Sequence, residues 1–162
     1  MNKHCELILV HGEVGSGKTT SLMNLARDFQ LRGLTFTGVI SIAIFKKGAK
    51  LGYDAVLLPS FEQFELCRAK NGTGYPRWNF NKQAFERGND YIKQKLPSSS
   101  VVLIDEVGEL EINKEGWYSS IEEALKLSIP LIYLSGKKKK LTVFRDQTLS
   151  SYPQYQIKEM NI

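Results

Sequence analysis

The stretch Leu7-Ile8-Leu9-Val10-His11-Gly12-Glu13-Val14-Gly15-Ser16-Gly17-Lys18-Thr19 decides how the rest of the chain reads. Its first four residues are a continuous apolar run, the mark of a strand covered on both faces. Residues Gly12 to Thr19 then match GxxxxGK[ST] at every fixed position. Beyond them, Leu22, Leu25, Ala26 and Phe29 recur at helical spacing and make one apolar stripe, and Gly33 behind Arg32 supplies a stop. A buried strand before the turn and an amphipathic helix after it give the pattern its physical meaning. Glycines let the backbone close on an anion with successive N–H groups pointing inward, and the positive end of the helix adds to that field. At ordinary residue frequencies a chain of this length carries the pattern by chance well under about 1% of the time.

Gly12, Glu13, Val14, Gly15, Ser16, Gly17, Lys18, Thr19 and Thr20 are therefore the expected phosphate cradle. Lys18 is placed to bridge β- and γ-phosphates, and the Thr19 hydroxyl to hold Mg²⁺. Glu13, unhelpful beside a triphosphate, is expected to face solvent, and His11 to be a packed strand-end residue.

Along the rest of the chain, apolar runs alternate with helical patterns, which predicts an α/β protein with a mainly parallel sheet flanked by helices. Residues 35–45 and 51–58 are rich in β-formers and are separated by Lys46-Lys47-Gly48-Ala49-Lys50, a pattern that reads as a hairpin inserted before the next parallel strand. Residues 61–68 can extend it. Residues 71–79, with Gly72, Gly74 and Pro76, read as a loop, and 81–96 as a helix that Gly88 interrupts. Residues 101–104 and 130–134 are further buried strands, 117–127 and 141–152 helices, and 154–158 a short final strand. No repeat, linker or low-complexity tract divides residues 1–162, so one nucleotide-binding domain is expected.

The second strand, Val101-Val102-Leu103-Ile104, ends in Asp105-Glu106. In an open α/β sheet, ligands sit beyond the carboxyl ends of the strands, so Asp105 and the glycine-rich turn share a crevice if the strands are parallel. Asp105 then suits Mg²⁺, together with Thr19. Glu106 directly behind it can orient an attacking water or accept its proton. The competing reading is a pair of carboxylates that merely carries the strand to the surface.

Lesser candidates sit further out. Ser135, at a strand end, can touch the γ-phosphate or the water, or simply make a turn. Arg145 can neutralise charge or be a surface arginine. Trp78 can stack on a base or pack with its aromatic neighbours, and Lys137-Lys138-Lys139-Lys140 reads as a solvated loop near the mouth of the site.

Bulk composition narrows the classes. The chain has 162 residues, 42% hydrophobic and 24% charged, with a formal charge of +5. That charge suits a phosphate-bearing ligand and is too dispersed to signal nucleic acid. Cys5 and Cys67 stand apart from any metal-ligand pattern, which predicts reduced thiols in a cytoplasmic protein. The apolar run at 7–10 is too short for a membrane span and lacks a signal-peptide layout.

The chain also resembles the small P-loop nucleoside-triphosphatases of thermophiles, a family that includes a vertebrate cancer-related nucleoside-triphosphatase. The resemblance rests on residues 12–20, on Gly52-Tyr53-Asp54 and on Ile104-Asp105-Glu106-Val107-Gly108-Glu109-Leu110-Glu111. Where that family commonly has Lys, this chain has Glu109. The resemblance implies a RecA-like core and slow Mg²⁺-dependent hydrolysis of ATP or GTP with loose base preference. By position, Lys18 and Thr19 match its phosphate and metal residues, and Asp105 and Glu106 its metal and water residues. Two other functions share the same cradle: a small-molecule or nucleotide kinase, and a nucleotide-dependent switch acting on a protein partner.

Overall fold

A computed structural model describes residues 4–13, 15–70 and 78–162. The apolar run before the glycine-rich turn forms β1 (Cys5–His11), and α1 (Lys18–Leu31) follows the turn. Helix α1 stops where the sequence supplies glycine. Gly33 takes a φ of 69°, its N–H bonds the Gln30 carbonyl, and the Leu34 N–H reaches back to Phe29. This pair of bonds satisfies carbonyls that the helix end would otherwise leave bare.

The chain then runs through β2 (Phe36–Lys46), β3 (Ala49–Leu58), β4 (Gln63–Ala69), β5 (Trp78–Phe80), α2 (Lys82–Lys95), β6 (Val101–Ile104), α3 (Glu109–Ile112), α4 (Tyr118–Lys126), β7 (Leu131–Gly136), α5 (Lys138–Gln147) and β8 (Tyr155–Asn161). One eight-stranded sheet results, in the order β5-β4-β3-β2-β6-β7-β1-β8. The pairs β2–β6, β6–β7, β7–β1 and β1–β8 are parallel. The additional strands β3, β4 and β5 continue the sheet antiparallel from β2. The first arm of the hairpin is thus also the outermost parallel strand, and the addition to the parallel plan begins with its second arm.

The continuous apolar runs are explained by cover on both faces. Leu7, Leu9, Val102, Ile104, Ile132 and Leu134 belong to one core cluster with residues of α2, α4 and α5, among them Ile92, Ile121 and Phe144. The alternate positions Val10, Leu103 and Tyr133 pack with Leu22, Ala26 and Phe29 of α1. Period-two alternation between two apolar faces leaves no polar position in the strand interiors. Cys5 and Cys67 are both free and buried. Among the described residues, no helix is long and apolar enough to cross a membrane.

Several local expectations change. The hairpin turn contracts to Lys47 and Gly48, with φ of 51° and 78°, the two-residue turn whose twist fits antiparallel strands. Trp78 and Asn79 lie in β5 and not in a loop, because they pair with Ala69 and Arg68 of β4. Residues 71–77 lie outside the described residues. Three of the four lysines at 137–140 are the opening turn of α5, pulled into helix by the docking of Leu141 and Phe144.

Gly88 does not interrupt α2, which runs unbroken from its Asn81 cap, whose side chain accepts from the Ala84 N–H. A Cβ on Gly88 would stand 2.5 Å from Cζ3 of the buried Trp117 ring, so glycine here lets a helix and an indole meet. Gly88→Ala should therefore lower stability by up to about 2 kcal/mol net, with about 1–3 kcal/mol lost to overpacking against the roughly 1 kcal/mol that alanine gains in helix propensity. Urea denaturation measures it, and a raised midpoint would show that the Trp117 ring yields.

Candidate active site

The glycine-rich turn is shaped by backbone that only glycine adopts cheaply. Gly15 and Gly17 have φ of 80° and 98°, and Gly17 is the residue from which α1 springs. Gly12 is needed for a different reason, since a Cβ there would stand 2.5 Å from Ser16 Oγ. The Ser16 hydroxyl is buried, with no hydrogen-bond partner among the described residues. Lys18 is buried too, and its ammonium donates to the carbonyls of Gly12 at 2.7 Å and Glu13 at 3.2 Å. A cation held over backbone oxygens and an unpartnered hydroxyl beside it are what a phosphate-binding turn offers. The Glu13 residue is exposed, as its charge requires, and so is Thr20. Val14 lies outside the described residues. His11 is buried at the end of β1.

Asp105 sits at the end of β6 with no exposed surface. Thr19 Oγ1 donates to its Oδ2 at 2.9 Å, and the Ser41 N–H donates to the same oxygen at 3.1 Å. Ser135 Oγ donates to Oδ1. Burial pushes this carboxyl above its ordinary range, and the hydrogen bonds from Ser135, Ser41 and Thr19 oppose that rise. Every one of these donors is neutral. A buried carboxylate held by neutral donors lacks a countercharge, and a hard divalent cation taking Thr19 and Asp105 oxygens would supply it.

Glu106 comes next with a φ of 59°, a left-handed conformation that a non-glycine residue holds at roughly 1–2 kcal/mol. Two bonds from β7 keep it there. The Glu106 N–H donates to Ser135 Oγ at 3.0 Å, and the Val107 N–H to the Ser135 carbonyl at 2.8 Å. The Glu106 side chain lines the cleft with Lys18, Thr19 and Ser41. Solvent reaches it, but the crowding cleft walls hold its carboxyl above the ordinary range. The Asp105 charge adds to that, and Lys18, Lys50 and Lys137 offset it.

Other sequence candidates fall elsewhere. Ser135 has no exposed surface, and its hydroxyl donates to Asp105 and accepts from the Glu106 N–H. Arg145 is paired with Asp146 at 3.5 Å and with Glu159 of β8 at 3.4 Å, outside the cleft lining. Trp78 does line the cleft, edge-on to Tyr53. Lys137 reaches the cleft, whereas Lys140 pairs with Glu109 and neutralises the acidic residue that stands where the resembling family has lysine.

Two residues have roles that a reading of the sequence misses. Ser41 contributes only its backbone, which no residue type announces. Glu111 has a signal, a glutamate three residues behind a helix start. Its carboxylate accepts from the N–H groups of Gly108 at 2.8 Å and Trp117 at 2.9 Å, fixing α3 against the start of α4 beside the cleft.

Comparison with known proteins finds relatives in sequence and in fold. The sequence profile of a family described as NTPase matches residues 7–161. Nucleoside-triphosphatase THEP1 of Methanopyrus kandleri is 24% identical over 86% of this chain and 78% of its own length. The THEP1 of Thermococcus kodakarensis is 26% identical over 81% of this chain and 76% of its own. In fold, the chain is similar to the solution structure of a human cancer-related nucleoside triphosphatase, with a TM-score of 0.66 at 19% identity, covering 98% of this chain and 88% of the other.

Burial raises the Glu111 carboxyl to about 7. A carboxyl that binds its proton more tightly folded than unfolded contributes stability below its unfolded value, and that contribution is lost as pH rises through the folded value. Stability should therefore fall between about pH 4.5 and pH 7, the ordinary and folded values of Glu111, with Asp105 and Glu106 adding slope of the same sign. Glu111→Gln should make that slope shallower in denaturation curves taken across the window, and an unchanged slope would mean that Glu111 stays ionised throughout.

Proposed function

The chain belongs to this NTPase family and is an NTPase, and from that premise we propose that it cleaves the β–γ bond of ATP or GTP with Mg²⁺ and with Glu106 as the residue that holds the attacking water. The observation that carries this reading is the pairing of Asp105 and Glu106 at the cleft, one sealed against the Thr19 hydroxyl and the other exposed to the space in front of Lys18. Neighbouring carboxylates in such different surroundings suit different tasks. Asp105, hydrogen-bonded and without countercharge, suits a metal ion; Glu106, raised and open to solvent, suits a proton acceptor. Thr19 and Asp105 would hold Mg²⁺, which would supply charge neutralisation on the phosphates when bound.

The chain's own residues do the rest. The turn at residues 12–19 binds the phosphates through N–H groups, and Lys18 exchanges its bonds to the Gly12 and Glu13 carbonyls for phosphate oxygens. Glu106 orients the water and takes its proton as oxygen attacks the γ-phosphorus. Because this cradle reads phosphate and not the base, loose base preference accompanies it. The single sheet from residue 5 to residue 161 supports reading the chain as one nucleotide-binding domain.

Phosphate release with each triphosphate, with and without Mg²⁺, tests the reading. Glu106→Gln should bind nucleotide and release phosphate about 10²–10⁴-fold more slowly, the usual range for a lost general base. Hydrolysis at the wild-type rate would remove Glu106 from the mechanism.

Ser135→Ala should act through its neighbours. The Mg²⁺ concentration for half-maximal rate should rise by about 10–100-fold, as when a group that orients a metal ligand is lost. A lower rate with unchanged Mg²⁺ demand would place the serine on Glu106 alone.

A further inference from the structure

The cleft continues well past the phosphate cradle. Its volume is about 1070 Å³, just above the roughly 300–1,000 Å³ of sites for one small molecule. Its far half is built by the strands added to the parallel plan. Ala43 pairs with Tyr53, Tyr53 with Cys67, and Cys67 with Phe80, so these side chains form one row across β2, β3, β4 and β5. The row starts two residues beyond Ser41, whose N–H holds Asp105, and leads away from the glycine-rich turn. Above it, Trp78 stands edge-on to Tyr53 with ring centroids 5.6 Å apart, and Phe85 packs on Trp117 at 4.7 Å. Lys50 Nζ donates to the Tyr53 hydroxyl at 2.9 Å and lies 5.0 Å from that ring's centroid. Such a lining suits a flat ring and not a phosphate chain.

Direction decides what the ring belongs to. A triphosphate in the cradle has its γ-phosphate at Lys18, Thr19 and Asp105, and its nucleoside at the opposite end of the phosphate chain. The aromatic row is carried by β2 to β5, across β2 from the parallel core and on the side of the Ser41–Asp105 contact, which is the γ-phosphate end of a triphosphate so placed.

We propose that this compartment binds a planar heteroaromatic alcohol of about nucleoside size and presents its hydroxyl to the γ-phosphate, so that the chain is a phosphotransferase for which water is the alternative acceptor. The proposal rests on residues 12–19 being the triphosphate cradle. In the transfer, a bond forms between the acceptor oxygen and the γ-phosphorus. The bond from that phosphorus to the bridging oxygen breaks, its electron pair leaves on the nucleoside diphosphate, and the hydroxyl proton passes to the Glu106 carboxylate. Hydrolysis is the same displacement with water in the acceptor's place.

The chain's two tryptophans, Trp78 and Trp117, both line the compartment, so intrinsic fluorescence reports its occupancy. The full chain, saturated with a non-hydrolysable ATP analogue and Mg²⁺, is titrated with adenosine, guanosine, thymidine, pyridoxine and thiamine. In parallel, γ-labelled ATP is incubated with each alcohol, and labelled product is separated from free phosphate.

Saturable quenching with the analogue still bound, and label on an alcohol, are expected. Trp78→Ala should raise the KM for that alcohol about ten-fold, the weight of one lost ring stack, while affinity for the analogue moves less than about two-fold. Competition between alcohol and analogue overturns the proposal and makes the compartment the base pocket. Label in free phosphate alone with every alcohol overturns it and leaves a hydrolase. Failure to bind the analogue at all, measured by calorimetry without any alcohol, sinks the cradle itself and is read separately.

Discussion

A carboxylate without solvent, Asp105, holds the working edge of this sheet together. Its hydrogen bonds come from Thr19 on α1, Ser41 on β2 and Ser135 on β7, while its own backbone N–H is tied to Val39. One side chain thereby sets the start of the P-loop helix against the ends of three parallel strands. Burying an ionised group among neutral donors is unfavourable without a countercharge. The fold sustains it because the backbone around it is locked by the sheet on both sides. Burial raises this carboxyl, and only neutral hydrogen-bond donors oppose the rise at its two oxygens.

Sheet order explains how these groups come to meet. The parallel strands β6, β7 and β1 end at one edge while β2 runs on past it to Lys46, and the crevice for ligand lies outside those ends. Strand β7 stands between β1 and β6, so its final residues touch both the P-loop strand and the acidic strand. A serine there reaches the Asp105 carboxylate and the Glu106 N–H of the neighbouring strand end and braces both. The antiparallel strands β3 to β5 lengthen the same edge, and their inward row turns a phosphate crevice into a longer cleft.

Legibility in sequence tracks locality. The phosphate turn is contiguous, and its glycines, lysine and threonine announce their backbone and charge roles without reference to anything distant. The two-sided cover of β1, β6 and β7 is equally visible, because it removes polar residues from each run. Ser135 is legible as a strand end but not as a brace, since its direction depends on β7 lying between β1 and β6, which no local pattern encodes. Gly88 looks like a helix breaker because the ring that requires it, Trp117, is distant in sequence. Trp78 looks like loop because β5 exists through pairing with β4, not through its own three residues. The lysines after Gly136 carry a loop's composition, yet Leu141 and Phe144 commit them to α5.

The backbone at Glu106 links these observations. In an extended strand Asp105 and Glu106 would point to opposite faces, and a metal ligand and a water-holding base could not serve one phosphate. The φ of 59° at Glu106 breaks the alternation and brings the second carboxylate to the cleft that the first supports from beneath. That conformation is held by the Ser135 hydroxyl and carbonyl, and the same hydroxyl donates to Asp105. One residue of β7 therefore fixes the Asp105 side chain and the Glu106 backbone at once. The two carboxylates are thereby tied to each other through a single oxygen, so that a shift of the Asp105 side chain is passed to the Glu106 backbone by one contact.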